Sequence, residues 1–155
     1  MPKHEAIKVP DTDHLMRYVP YKQQVRDAET NAFKGIANTA FQIRPSDKGG
    51  LSTTWVEHYG AKGPATYGAA ASAFRDSLPS KKLGATAYFA VGNVGATREK
   101  CLDKGKSIRL VVVPDGTNTG HVEIHKFSDE DRELLDILAI DVFGEHVAVS
   151  NLPLS

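Results

Sequence analysis

The chain predicts an α+β or mixed α/β domain of about five strands and three helices. Three observations carry that expectation. Short β-branched runs bounded by proline and glycine recur along it, two segments space their apolar or alanine residues as helices do, and residues 86–113 read as strand, helix, strand. The 155 residues, 41% of them hydrophobic and 25% charged, suffice for one domain with a core of its own.

Residues 1–13 are polar, contain Pro10 and predict a loose N-terminal arm; residues 14–155 form the single globular domain. His14–Val19 reads as a strand ended by Pro20, which cannot donate to a ladder. Residues 21–35 are polar and predict a long exposed loop. Thr39–Arg44 alternates Phe41 and Ile43 with polar residues, the pattern of a half-buried strand closed by Pro45 and Gly49-Gly50. In Leu51–Tyr59 the β-branched run favours a strand and leaves room for a helical turn after it. Pro64–Ser77 is alanine-rich and predicts a helix with proline in its first turn.

A central βαβ-like unit follows. Thr86–Val91 is a strand, Val94–Lys104 a helix capped by Gly105, and Ile108–Val113 a strand whose continuous apolar run predicts burial on both faces. Residues 114–120 form a turn-rich loop and His121–Phe127 a strand. Ser128 is placed to cap a last helix with Asp129, Glu130 and Asp131 in its first turn, where the macrodipole favours negative charge. Leu134, Leu135, Leu138 and Val142 form its buried stripe.

Nineteen basic and nineteen acidic side chains cancel, so no global field points to nucleic acid. The charge is nonetheless unevenly placed: residues 1–110 carry 17 Lys and Arg against 10 Asp and Glu, and residues 111–155 carry 2 against 9. Most of that acidic surplus lies in the expected helix at 128–145. No stretch approaches the ~20 continuous apolar residues of a membrane helix, and Met1–Glu5 has no apolar signal core. The single cysteine, Cys101, excludes an intrachain disulfide. These features predict a soluble, cytoplasmic protein that does not enter a membrane. They specify no cofactor.

Several residues suit chemistry. Gly92-Asn93-Val94-Gly95 joins a strand to a helix, a junction whose free N–H groups attract anions, although the full dinucleotide and P-loop fingerprints are absent. His14 and Arg17 pair a group that titrates near neutrality with a fork for phosphate. Ser52 and Trp55 join a small hydroxyl to the only tryptophan, without a nucleophile elbow around the serine. His121, Glu123 and His125 share one strand face and invite a metal. At ~3.3 Å per residue, however, the two histidines stand ~13 Å apart, so no metal site is expected.

The segments HLMRYVP, AFQIRP, LSTTWVEHY and AYFAVGNVG, with His121 after them, resemble in order a family of small bacterial proteins to which no activity is assigned. That resemblance spans most of residues 14–145 and carries over no catalytic residue. A second resemblance is to mono-ADP-ribosyltransferases, which use an arginine on an early strand, a Ser-Thr-Ser strand and a later catalytic glutamate. Arg17, Ser52-Thr53-Thr54 and Glu123 take those places. Thr54 departs from the third serine, His121 stands where a second acidic residue is usual, and the chain is short for that fold.

The residues support a protein that binds, or acts on, a phosphate-bearing ligand, either a nucleotide or a nucleic-acid end. His14, Arg17 and His121 would surround the phosphate as a catalytic group, and Gly92, Asn93 and Gly95 would add backbone donors beside Ser52 and Trp55. The alternative is a non-catalytic accessory protein of a multi-protein bacterial system, docking through the acidic helix. Their geometries differ: an enzyme gathers His14, Arg17 and His121 into one cleft, whereas a binding module scatters them and exposes an apolar patch.

Overall fold

The computed structural model describes residues 7–43 and 50–155. Six strands form one antiparallel sheet: β1 (His14–Val19), β4 (Leu51–Trp55), β5 (Tyr88–Asn93), β6 (Arg109–Val112), β7 (His121–His125) and β8 (Glu145–Ala148), in the order β6-β7-β4-β1-β5-β8. A separate ribbon pairs β2 (Gln24–Arg26) with β3 (Phe33–Ile36). Three helices, α1 (Pro64–Ser77), α2 (Val94–Asp103) and α3 (Arg132–Ile137), complete the described elements together with short helical turns. The α+β class holds, with more strands than the five expected.

Strand alternation gives the sheet two apolar faces. On one, Leu15, Val19, Leu51, Ala90, Val122 and Ile124 pack beneath α2 and α3. On the other, Met16, Phe89 and Val91 pack beneath α1 and the tail from Val149 to Leu154. Helix α1 spans the residues expected, with Pro64 in its first turn. A Cβ on its Gly68 would stand 2.6 Å from the Pro153 carbonyl, so glycine lets the tail cross the helix closely.

The strand–helix–strand unit is wider than expected. β5 and β6 run in the same direction, but β1, β4 and β7 lie between them, so they are not parallel neighbours. β6 is an edge strand. Its apolar run is therefore half-buried, and Val113 is 37% exposed, where burial on both faces was expected.

Two expected boundaries move because tertiary partners replace local ones. Asn38–Phe41 forms a 3-10 turn instead of a strand. Its backbone is satisfied without a ladder: the Ala40 carbonyl accepts from Arg17, and the Ile43 N–H donates to Asp129 at 2.9 Å. Arg44, Pro45 and Gly49 lie outside the described residues. The last helix starts at Arg132, capped by the Asp131 carboxylate on the Leu134 N–H, rather than at Ser128. It ends in a wider π turn, Leu138–Val142, closed by Phe143 N–H on the Leu138 carbonyl. Its leucine stripe is buried as expected.

Three features were not anticipated. The β2–β3 ribbon occupies the expected loop; Asp27 holds its turn by accepting from Glu29 and Thr30 N–H groups, and Phe33 stacks on Tyr88 at 3.7 Å. β8 extends the sheet beyond β5. Residues 9–13 of the expected arm are docked: Val9 is 2% exposed, and Arg98 bonds to Asp11.

Gly92 makes a close contact in the core. A Cβ there would stand 2.7 Å from the buried Phe143 ring. Gly92→Ala is expected to cost about 1–3 kcal/mol by overpacking, seen in thermal unfolding as a loss of about 2–4 °C per kcal/mol. An unchanged melting temperature would contradict this packing.

Candidate functional site

The ladder between β1 and β4 is short. It pairs Leu15 with Trp55 and Met16 with Thr54, then lapses, whereas β1 pairs with β5 along six residues. The Trp55 N–H points to the β7 side, where it bonds to the carbonyl of Gly120 just before β7, so by alternation the Ser52 carbonyl points toward β1. Where the ladder lapses, Arg17 supplies the missing donor: its Nη1 reaches the Ser52 carbonyl at 2.6 Å, and its Nε bonds to the Ala40 carbonyl. Arg17 is 8% exposed, so the guanidinium works inside the fold.

On the α1 side of this lapse lies a cavity of about 230 Å³. Met16 and Tyr18 of β1 and Ser52, Thr53 and Thr54 of β4 form its floor. Phe74 and Leu78 close it from α1 and the residue after it, and Asn118 and His121 from the β6–β7 side. Its outline is fixed by side-chain bonds to the 115–118 turn. Asn118 accepts from Tyr59 Oη at 2.6 Å and donates to Thr54 Oγ1 at 3.0 Å, while Thr117 ties the same loop to the Ala73 carbonyl.

His121 Nδ1 lies 2.8 Å from the Val113 carbonyl. A carbonyl only accepts, so Nδ1 carries the proton and Nε2 is left as the group that a ligand can address. Among the described residues that line the cavity, His121 is the one base and Asp115 the one carboxylate. No lysine or arginine is among them.

The expected site residues divide. His121 and Ser52 line the cavity. Arg17 and His14 have opposite parity on β1, so Arg17 serves the far face of the sheet. His14 lies away from the cavity, bound through Nδ1 to Glu57 at 2.7 Å. His14, Arg17 and His121 therefore do not share one cleft. Trp55 does not line the cavity either; its indole N–H bonds to Asp13 at 2.8 Å and its ring packs against the α2–α3 core.

The expected phosphate cradle is already filled. The Val94 N–H bonds to Asp13 O, the Gly95 N–H to Asp11 O and the Ala96 N–H to the Asn93 side chain, all at 2.8–3.0 Å. The docked N-terminal segment takes the donors that an anion would need. Glu123 and His125 bond to each other at 2.8 Å. Among the described residues no group of three or more His, Cys, Asp or Glu side chains converges as metal ligands.

Sequence reading missed a second polar cluster near His14. Glu57 accepts from both the His14 N–H and its ring. Glu145 accepts from Tyr67 Oη at 2.7 Å and Lys62 Nζ at 2.8 Å. Burial, reinforced by the Glu145 and Glu57 charges, pushes the Tyr67 phenol up. Burial also pushes the Glu145 carboxyl up, but bonds from Lys62 and Tyr67, with the charges of Lys62 and His14, hold it below its ordinary value. Tyr67 sits in an alanine-rich helix and Glu145 on an unexpected strand, so no sequence pattern marked them.

The acidic segment is largely spent within the chain. Asp129 holds Ile43, Asp131 caps α3, Glu133 pairs with Lys104 and Asp136 accepts from Asn38. An apolar groove of about 430 Å³ lies nearby, between the β2–β3 ribbon and the π turn, where Val25 and Ile140 are exposed. Among the described residues no helix is long and apolar enough to cross a membrane. No protein-family model, curated protein or solved structure matches the chain.

Glu145 gives a pH test. Its folded pKa is depressed, so its contribution is present above its ordinary value near 4.5 and is lost as pH falls through the folded value. Glu145→Gln is expected to lose less stability than wild type in urea titrations taken from neutral pH to below pH 4.5. Parallel losses in the two proteins would refute the assignment.

Proposed function

We propose that the protein binds a nucleotide-type ligand by inserting its base into the cavity between the sheet and α1. The cavity lining is the single observation that carries this reading. Phe74, Phe89 and Tyr18 offer aromatic contact, Ser52 and Thr54 offer hydroxyls, and His121 Nε2 offers one directional polar contact. At about 230 Å³ the space suits one ring system rather than a whole nucleotide. Because no basic side chain other than His121 lines it among the described residues, the ligand's phosphates stay outside. The phosphate is thus a passenger of recognition and not its anchor, which departs from a site built around His14, Arg17 and His121.

A second reading, ADP-ribosyl transfer from a nicotinamide dinucleotide, draws on one further observation. The three segments resembling mono-ADP-ribosyltransferases lie on adjacent strands, with Ser52 directly opposite Glu123 and Arg17 bonded to the Ser52 carbonyl. In such a reaction the glycosidic bond to nicotinamide breaks, nicotinamide leaves with the bonding pair, and positive charge develops on the ribose. The hydroxyl of an acceptor or of water forms the new C–O bond at that ribose carbon and releases its proton to solvent. A carboxylate at Glu123 would stabilise that charge, as carboxylates do in glycoside cleavage. His125, bonded to Glu123, would fix its orientation.

The first test is a thermal-shift comparison of adenosine, nicotinamide and the nicotinamide dinucleotide with ribose 5-phosphate and inorganic phosphate. Base-bearing compounds are expected to stabilise the protein, by ~2.7 kcal/mol at ~100 times their dissociation constant. The two phosphates without a base are expected to do nothing. His121→Ala should abolish the shift and His14→Ala should keep it. Stabilisation by ribose 5-phosphate and inorganic phosphate alone would overturn the base-first reading.

The second test follows release of nicotinamide. If the protein transfers ADP-ribose, Glu123→Gln binds the dinucleotide and no longer cleaves it. Absence of cleavage by wild type, with binding intact, leaves base binding standing and removes the transferase reading.

A further inference from the structure

The apolar strand β6 is left at the edge of the sheet, and its chemistry points to a partner. Ile108–Val113 is rich in β-branched residues, and Arg109 is its one charge. The outer side of β6 has no paired strand among the described residues. Sheet edges in monomers are ordinarily guarded by lysine, proline, inward-pointing charge or a bulge. The opposite edge strand, β8, begins with Glu145 and His146. The β6–β7 register runs without a shift from Arg109–His125 to Val112–Val122, so no bulge turns the β6 edge away.

We propose that β6 pairs with β6 of a second copy, antiparallel about a two-fold axis, joining the two sheets into one. The backbone is self-complementary for this. The Val113 N–H points inward, to the His121 carbonyl, so by alternation the N–H and C=O groups of Leu110 and Val112 point outward. An axis passing at Val111 sets Leu110 opposite the partner's Val112 and Val112 opposite the partner's Leu110. Every outward donor of those residues then meets an acceptor.

The side chains agree with the same register. Arg109 falls opposite the partner's Val113 and diagonal to the partner's Asp115, on the same face of the sheet, where a long side chain spans the gap. Both Arg109 and Asp115 are exposed, and among the described residues neither side chain has a hydrogen bond or ion pair within its own chain. Two such ion pairs flank the axis. Val111 meets its own copy at the centre. A four-residue contact buries less than the ~1,200 Å² of a standard interface, so the dimer is concentration-dependent.

Sedimentation velocity of the full chain across a wide concentration range tests this pairing without any ligand. Wild type is expected to shift from monomer to dimer as concentration rises. Val111→Lys places two like charges across the axis and is expected to stay monomeric, with an unchanged circular dichroism spectrum. Arg109→Asp should weaken the dimer, and adding Asp115→Arg should restore it. Should Val111→Lys fail to fold, the Arg109 and Asp115 pair decides alone. A wild type that is monomeric at every concentration, a Val111→Lys protein that still dimerises, or a charge swap without rescue would overturn the proposal.

Discussion

The fold turns on one nearly buried guanidinium. Arg17 sits where the β1–β4 ladder stops, and it bonds to carbonyls that come from two different segments, Ala40 of the 3-10 turn and Ser52 of β4. A backbone carbonyl buried without a donor costs about 1–3 kcal/mol, so a lapse in the middle of a sheet needs such a substitute. Arg17 lets the strands part without that cost and fixes the 3-10 turn against the sheet. Packing on the same face confirms the arrangement, with Phe41 of that turn against Phe143 at 5.0 Å between ring centres.

The parting of the strands has a consequence on the other face. Residues on both sides of the lapse, Met16 and Tyr18 on one and Ser52 to Thr54 on the other, floor the cavity. Helix α1 roofs it and the 115–118 turn closes the end. The turn is held by bonds of buried Asn118 to Tyr59 and Thr54, so the cavity wall is in place before any ligand arrives. Preformed walls reduce the ordering cost of binding. A structural arginine on one face thus shapes a partly aromatic recess on the other, with no lysine or arginine among the described residues that line it, and the two are easily mistaken for one site when only the residue order is known.

Much of the fold was legible. The bounds of β1 and α1, the Val94 start of α2, the glycine that follows its end and the leucine stripe after Asp131 all follow from proline, glycine and periodicity, which act locally. The misses share a cause. Thr39–Arg44 alternates like a strand, yet Arg17 satisfies the Ala40 carbonyl and Asp129 the Ile43 N–H from afar. The β2–β3 ribbon is short and polar, and its evidence lies in an Asp27 turn and a ring stack rather than in an apolar pattern. The site was legible only in pieces. His121 and Ser52 do meet at the cavity, but strand parity sends Arg17 to the far face, and the docked Asp11 and Asp13 carbonyls fill the glycine junction. Nothing in the order of residues announces that a distant backbone will occupy a helix N-terminus.

The central claim is that His121 Nε2 faces a base within the cavity. Long-range nitrogen–proton correlation spectra of the histidine rings, recorded while adenosine or nicotinamide is added, test it most directly. The His121 Nε2 resonance is expected to move with saturation, while Nδ1 keeps its bonded signature and the His14 and His146 rings stay still. Saturable movement of the His14 ring with a silent His121 would place the ligand at the Glu57 cluster instead and contradict the account.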